Sequence, residues 1–157
     1  MPMPSAKLSL VITDASCLIL LDKIEYLDLL PKLFDVVITT PEIALEYGKT
    51  IPKWLKVIKV VNHKLQDELA MIVDSGEASA IALAKEIEID YLVTDDLHAR
   101  KLSLKLGLNV IGTLGILLKA KQTGLILLLK PVFDQILTTD FRITQTLMEV
   151  VLRDAGE

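Results

Sequence analysis

Leu8-Ser-Leu-Val-Ile-Thr-Asp14-Ala-Ser-Cys-Leu-Ile-Leu-Leu21 is the stretch that decides the fold, and Ile89-Asp-Tyr-Leu-Val-Thr-Asp95-Asp96 repeats its ending. Each opens as an apolar run of strand length, closes on Thr and a carboxylate, and leads into a helical pattern. Short apolar runs bounded this way suit strands buried on both faces, the environment of a parallel sheet. Strands lying side by side would bring Asp14 and the Asp95–Asp96 pair together at their tips. Two carboxylates about 4 Å apart repel by roughly 4 kcal/mol at an effective dielectric near 20. A fold retains such a cluster when a cation relieves it, and a hard divalent ion held by oxygens is the economical answer.

Outward from these two segments, strand and helix patterns alternate. A helical turn or more covers Ala15 to Leu21, and a helix over Glu25 to Phe34 sets Tyr26, Leu29, Leu30 and Leu33 on one side. Val36-Val-Ile-Thr39 reads as a short strand. Thr40-Pro41-Glu42 then starts a helix with a Thr cap, Pro at the first position and an acid in the first turn, ending near Gly48. Trp54 to Val61 alternates apolar residues with lysines, as a half-exposed edge strand does. Helices are expected over His63 to Val73, from Gly76 onward, and over Leu97 to Leu106. Leu108 to Ile111 is the last strand, followed by helices over Thr113 to Gln122, Pro131 to Leu137 and Thr144 to Arg153. Strands separated by helices imply right-handed crossovers. The expectation is a three-layer α/β/α sandwich around a mainly parallel sheet, one domain over 1–157 with 128–157 as an extension. Ligands in such sheets bind beyond the carboxyl ends of the strands, where strand order reverses.

The 157 residues suffice for a good core, and with just over half of them apolar but 4 % aromatic, aliphatic side chains must fill it. A net charge of −4 provides no global basic field to attract a polyanion, so such a partner needs a local patch or a metal. The single cysteine, Cys17, excludes an internal disulfide and points to a reducing, cytoplasmic setting with a buried, inert thiol. The start, Met-Pro-Met-Pro-Ser-Ala-Lys, lacks the apolar core of a signal peptide. Lys119, Lys121, Gln122 and Gly124 interrupt the most apolar later stretch, so no membrane span is expected.

The acidic residues that matter are Asp14, Glu46, Glu77, Asp95 and Asp96, and each has a plainer explanation. Asp14 suits a helix cap, and Glu46 a solvated helix face. Glu77 suits the far end of a capping box with Asp74 or Ser75, and Asp95 or Asp96 a cap for the helix bearing His98 and Arg100. Capping does not require the same device at two strand ends, however, and Glu77 opens a helix otherwise made of small and apolar residues.

In order along the chain, these segments resemble the motifs of PIN-domain ribonucleases. Val11-Ile-Thr-Asp14-Ala-Ser16 resembles the first motif, and Pro41-Glu-Ile-Ala-Leu-Glu46 the second. Gly76-Glu77-Ala-Ser-Ala-Ile81 resembles the third, with Glu where Asp is more frequent, and Val93-Thr-Asp95-Asp96 the fourth. Ile111-Gly-Thr-Leu-Gly-Ile-Leu and Phe141-Arg-Ile-Thr are similar to a subgroup of small prokaryotic PIN proteins without assigned function. The resemblance runs from about Leu8 to the C-terminus. It implies an Mg²⁺- or Mn²⁺-dependent endoribonuclease, many relatives being VapC-like toxins held inactive by a small antitoxin. It also implies roles. Asp14 and Asp96 are the first metal ligands, and Glu77 and Asp95 complete the metal set, Asp95 from the second sphere or the substrate side. Glu46 and Glu77 order water, and one of them takes a proton from the attacking molecule. Ser16 and Arg100 face the substrate. His63 and His98 lack the paired spacing of a zinc site, Trp54 reads as a packing residue, and the lysines from Lys49 to Lys59 as solvated. Leu-rich helices between Thr113 and Leu129 suggest a homodimer.

Two rivals remain. One is a catalytically weak or silent PIN-like module that binds RNA or protein, although no expected acidic position is empty here. The other is a phosphoacceptor receiver domain, which would need a Lys after a late strand where Val110-Ile-Gly-Thr113 has none.

Overall fold

The first strand is fixed at its start by two carboxylates. Asp35 Oδ2 accepts from the Ser9 amide at 2.8 Å, and Asp90 Oδ2 from the Leu10 amide at 2.8 Å, so β1 begins at Leu10 rather than Leu8. The computed structural model describes residues 8–157; the opening segment, read above for a leader, lies outside them. The elements follow as β1 (Leu10–Thr13), α1 (Ala15–Lys23), α2 (Leu29–Leu33), β2 (Val36–Thr39), α3 (Pro41–Tyr47), β3 (Leu55–Val57) and α4 (His63–Leu69). Then come α5 (Ser75–Glu86), β4 (Tyr91–Val93), α6 (Leu97–Lys105), β5 (Val110–Ile111), α7 (Thr113–Gln122), α8 (Lys130–Leu137) and α9 (Gln145–Asp154).

All described strand pairs are parallel, in the order β3-β2-β1-β4-β5. The expected α/β/α sandwich is therefore present, with β3 at an edge. Strand order reverses between β1 and β4, where Thr13 pairs with Val93 and the Asp14 amide donates to the Val93 carbonyl at 3.1 Å. The two acid-tipped strands are thus neighbours at the switch point. Val11, Ile12, Val37, Ile38, Leu92 and Val93 are buried, as a sheet covered on both faces requires. Helix α5 packs against both α3 and α4. A Cβ at Gly76 would come within 3.0 Å of Glu46 Oε2 and 3.5 Å of Ile43 Cγ1, so this glycine permits the close approach of α3.

Several expected boundaries are corrected. The helix expected over Glu25 to Phe34 is broken, leaving only α2. Glu25 has φ 63°, its amide donates to the Asp22 carbonyl at 3.1 Å, and the Tyr26 amide donates to the Leu21 carbonyl at 2.8 Å. This is a Schellman ending for α1, with Glu where Gly is usual. The edge strand expected over Trp54 to Val61 is three residues long. The Glu86 carboxylate takes the amides of Val61 and Asn62 at 2.8 and 2.6 Å, which removes them from strand pairing. The helix expected to reach Val73 stops at Leu69, and turns carry the chain to Asp74. β4 and β5 are shorter than Ile89–Thr94 and Leu108–Ile111. Among the described residues, no helix is long and apolar enough to cross a membrane.

Candidate functional site

β1 delivers Asp14 to the switch point with its side chain 2 % exposed. One oxygen caps α1: Oδ1 accepts from the Cys17 amide at 3.0 Å. The other, Oδ2, is buried and makes no well-formed hydrogen bond, although the Asp95 amide and the Thr94 hydroxyl stand near enough to ease its charge slightly. Capping thus accounts for half of this carboxylate and leaves the other half unexplained. Burial pushes the Asp14 carboxyl up to about 7; the Cys17 amide opposes that rise and the Asp95 charge adds to it.

Glu77 reaches the same place from the first turn of α5. Asp74 caps that helix, its Oδ1 accepting from the Glu77 amide at 2.9 Å. The Glu77 side chain does not return the bond. Its Oε2 accepts from Thr94 Oγ1 at 3.1 Å, at the tip of β4. Burial, and next the Asp14 charge, push the Glu77 carboxyl up to about 8. Asp74 and Asp96 add smaller repulsions.

The two aspartates after β4 part company. Asp95 is half-buried and tied to the start of α7, its Oδ1 accepting from the Thr113 amide at 2.9 Å and its Oδ2 from Thr113 Oγ1 at 2.5 Å. Asp96 is exposed and caps α6, its Oδ2 accepting from the Ala99 amide at 2.8 Å. Asp95 therefore stands electrostatically against Asp14, and Asp96 against Glu77.

Asp14, Glu77, Asp95 and Asp96 share one electrostatic neighbourhood. Glu46 stands apart, exposed on α3, in a cleft of about 270 Å³ lined also by Glu42, Asp74 and Gly76. Burial and then the Asp74 charge raise its carboxyl. Ser16 is exposed and lines a different groove with Lys23, Asp140 and Arg142. Arg100 is half-buried, its Nη1 donating to the Thr94 carbonyl at 3.3 Å. A Cβ at Gly112 would lie 2.7 Å from Asp95 Oδ1 and 2.8 Å from Arg100 Nη1, so a side chain there would push both of these groups aside. Cys17 is fully buried and its thiol is pushed up, first by desolvation and then by the Asp14 charge.

Three neighbours of these acids were not read from the sequence as belonging to the site, Asp74 having been read only as a cap. Asp74 links the outer Glu46 to the inner Glu77, and its signal was its place in Asp74-Ser-Gly-Glu77. Thr113 fixes Asp95, which Gly-Thr after the last strand could have suggested. Glu42, taken as a helix-start acid, has Oε1 accepting from Gln66 Nε2 at 3.1 Å and a buried Oε2 without a partner. No sequence pattern marks that burial.

As a donor set, these residues fit a hard divalent cation: all are carboxylates, one buried oxygen is orphaned, and no described Lys or Arg forms a salt bridge with Asp14, Glu77, Asp95 or Asp96. Among the described residues, no three His, Cys, Asp or Glu side chains are grouped to hold an ion by themselves. Mg²⁺ tolerates such a site, because it commonly keeps several waters and is bound by one or two carboxylates plus substrate phosphate.

A family model described as a PIN domain (DUF3368) matches residues 10–157. The chain belongs to the PIN domain family. No curated protein matches it. PIN domains are usually nucleases and generally use divalent metals, so the family accords with acids at the ends of adjacent strands. Its match runs through α8 and α9, the helices read above as an extension.

Proposed function

We propose that this PIN protein is a metal-dependent endoribonuclease, active with Mg²⁺ or Mn²⁺ and acting in the cytoplasm as a single domain over 1–157. The observation that carries this reading is Asp14 Oδ2, a carboxylate oxygen buried without a well-formed hydrogen bond, beside the charge of Asp95. A folded chain accepts that cost where a cation offsets it.

Asp14 through Oδ2, with Asp96, supplies the direct ligands, and Glu77 and Asp95 complete the set. These residues would hold a divalent ion, which would supply charge neutralisation at the phosphate and a more acidic water near neutral pH. The chain's own residues do the rest. Glu77, steadied by Thr94 Oγ1, is the base that would take a proton from the attacking water once a bound cation keeps its carboxylate ionised. Asp95, held at two points by Thr113, fixes the β4–α6 turn that presents Asp96. Glu46 orders water at the mouth of the outer cleft. Arg100, anchored on the Thr94 carbonyl, presents its remaining N–H groups to phosphate, and Ser16 contacts the strand on the opposite side.

The purified protein with Mn²⁺ should cut a generic single-stranded RNA. Asp14→Asn and Asp96→Asn should each lower the rate by at least about 100-fold while leaving the melting transition cooperative. Cutting that survives both substitutions and chelation removes the assignment. The alternative, a PIN-like binding module with little or no catalysis, is supported by the lack of three grouped ligands among the described residues. Mn²⁺ binding without cleavage would favour it. A toxin role under a small antitoxin, and a homodimer, extend the same proposal.

A further inference from the structure

The segment between α8 and α9 lies beside the acidic site, sharing a groove with Asp95. Phe141 and Arg142 line two grooves at once. One holds Ser16, Ile19, Leu20 and Lys23, and the Lys23–Asp140 ion pair at 2.9 Å anchors the segment there. The other, about 530 Å³, has Asp95 and Arg100 at its inner end and walls formed mainly by Leu97, Ile111, Leu114, Ile143 and Leu147. Arg142 is exposed between the grooves, and no salt bridge or side-chain hydrogen bond holds it among the described residues. An apolar slot of this size with two guanidinium groups on its walls, opening onto carboxylates at Asp95, combines what a nucleotide offers: a flat base and an anionic phosphate.

We propose that the groove between α6, the start of α7 and the Phe141–Leu147 segment is a nucleotide subsite. It seats one unpaired base of the RNA strand next to the scissile phosphate, with Arg142 and Arg100 on the flanking phosphates. The proposal rests on the nuclease reading and adds where an unpaired base of the strand is held, since a base must leave its stack to enter the slot. Charge complementarity selects this occupant. The groove walls are apolar, the only charged lining residues besides Asp95 are Arg100 and Arg142, and the carboxylates next to it repel a bare polyanion unless a metal is bound. Continuity selects the position, since Asp95 belongs both to this groove and to the acidic cluster.

The test measures binding of a fluorescent ten-nucleotide RNA by anisotropy with Ca²⁺ in place of Mn²⁺, over a salt series, beside steady-state cleavage with Mn²⁺. Arg142→Gln should weaken binding about 5- to 10-fold and reduce the slope of log affinity against log salt by about 0.7, the loss of one single-strand phosphate contact. In cleavage it should raise KM by a similar factor with kcat within about twofold. Leu147→Glu, at an exposed position on the groove wall, should weaken binding likewise without harming the fold. A self-complementary duplex of the same length should bind more weakly than the single strand, and equally to wild type and Leu147→Glu. If wild type binds and cuts RNA while both variants match it in affinity, salt slope and KM, the subsite is wrong and the nuclease reading stands. If wild type binds without cutting and both variants lose binding, the subsite stands and the catalytic reading fails. If wild type does neither, both fall.

Discussion

Asp14 and Glu77 hold their protons in the folded, metal-free chain at pH values where an unfolded chain has released them. Each folded carboxyl is raised, from 3.8 to about 7 for Asp14 and from 4.5 to about 8 for Glu77. For an acid whose folded pKa is raised, the folded state binds more protons across that window, so stability falls as pH rises through it. The metal-free protein should therefore lose stability steadily from near pH 4 to near pH 8 and level off above. Asp14→Asn, which keeps an oxygen for the Cys17 amide and removes the charge, should flatten much of that slope. At pH 8, urea unfolding should find this variant more stable than wild type, by of order 2 kcal/mol. A wild-type profile that is flat, or rises with pH, would mean that neither carboxylate pays for its burial.

At the scale of elements, the least comfortable point is Glu25, which ends α1 in the left-handed region. A side chain there costs roughly 1 kcal/mol or more, and Glu25→Gly should recover about 1 kcal/mol in a denaturant melt without altering activity. That position also explains which elements were legible from the sequence. β2, α7 and the start of α3 could be placed to the residue because apolar runs end at Thr, Pro or Gly, and Thr40 does cap α3, its Oγ1 accepting from the Ile43 amide at 3.3 Å. The break at Glu25 carries no glycine to announce it. The short β3 depends on Glu86, about 25 residues along the chain, taking two amides, a tertiary bond invisible to local pattern. Asp14, Asp95 and Asp96 were legible by type and by their place after strands, and Glu77 by its place at the start of an apolar helix. Their division of labour was not, because it turns on Thr113 gripping Asp95 and Ala99 occupying one oxygen of Asp96.

Taken whole, the molecule gathers its strand-tip acids at one switch point and leaves apolar side chains uncovered elsewhere. Leu127 is 86 % exposed and Leu128 56 %, just after α7, with Leu137 at 57 % at the end of α8. A small monomer seldom leaves neighbouring leucines in water without a use for them. The homodimer proposed here should sediment at about twice the chain mass at micromolar concentration, and Leu127→Glu should shift it toward one chain. A wild-type mass of one chain across that range would count against the pairing.

That the strand-tip carboxylates form one cation site is tested most directly by melting with and without Mn²⁺. At a metal concentration about 100 times its dissociation constant, a ligand specific to the folded state adds about 2.7 kcal/mol. Wild type at pH 7.5 should show a saturable rise in melting temperature with Mn²⁺ that chelation reverses, and Asp14→Asn should show almost none. An equal rise in both proteins, or none in wild type, would contradict the site.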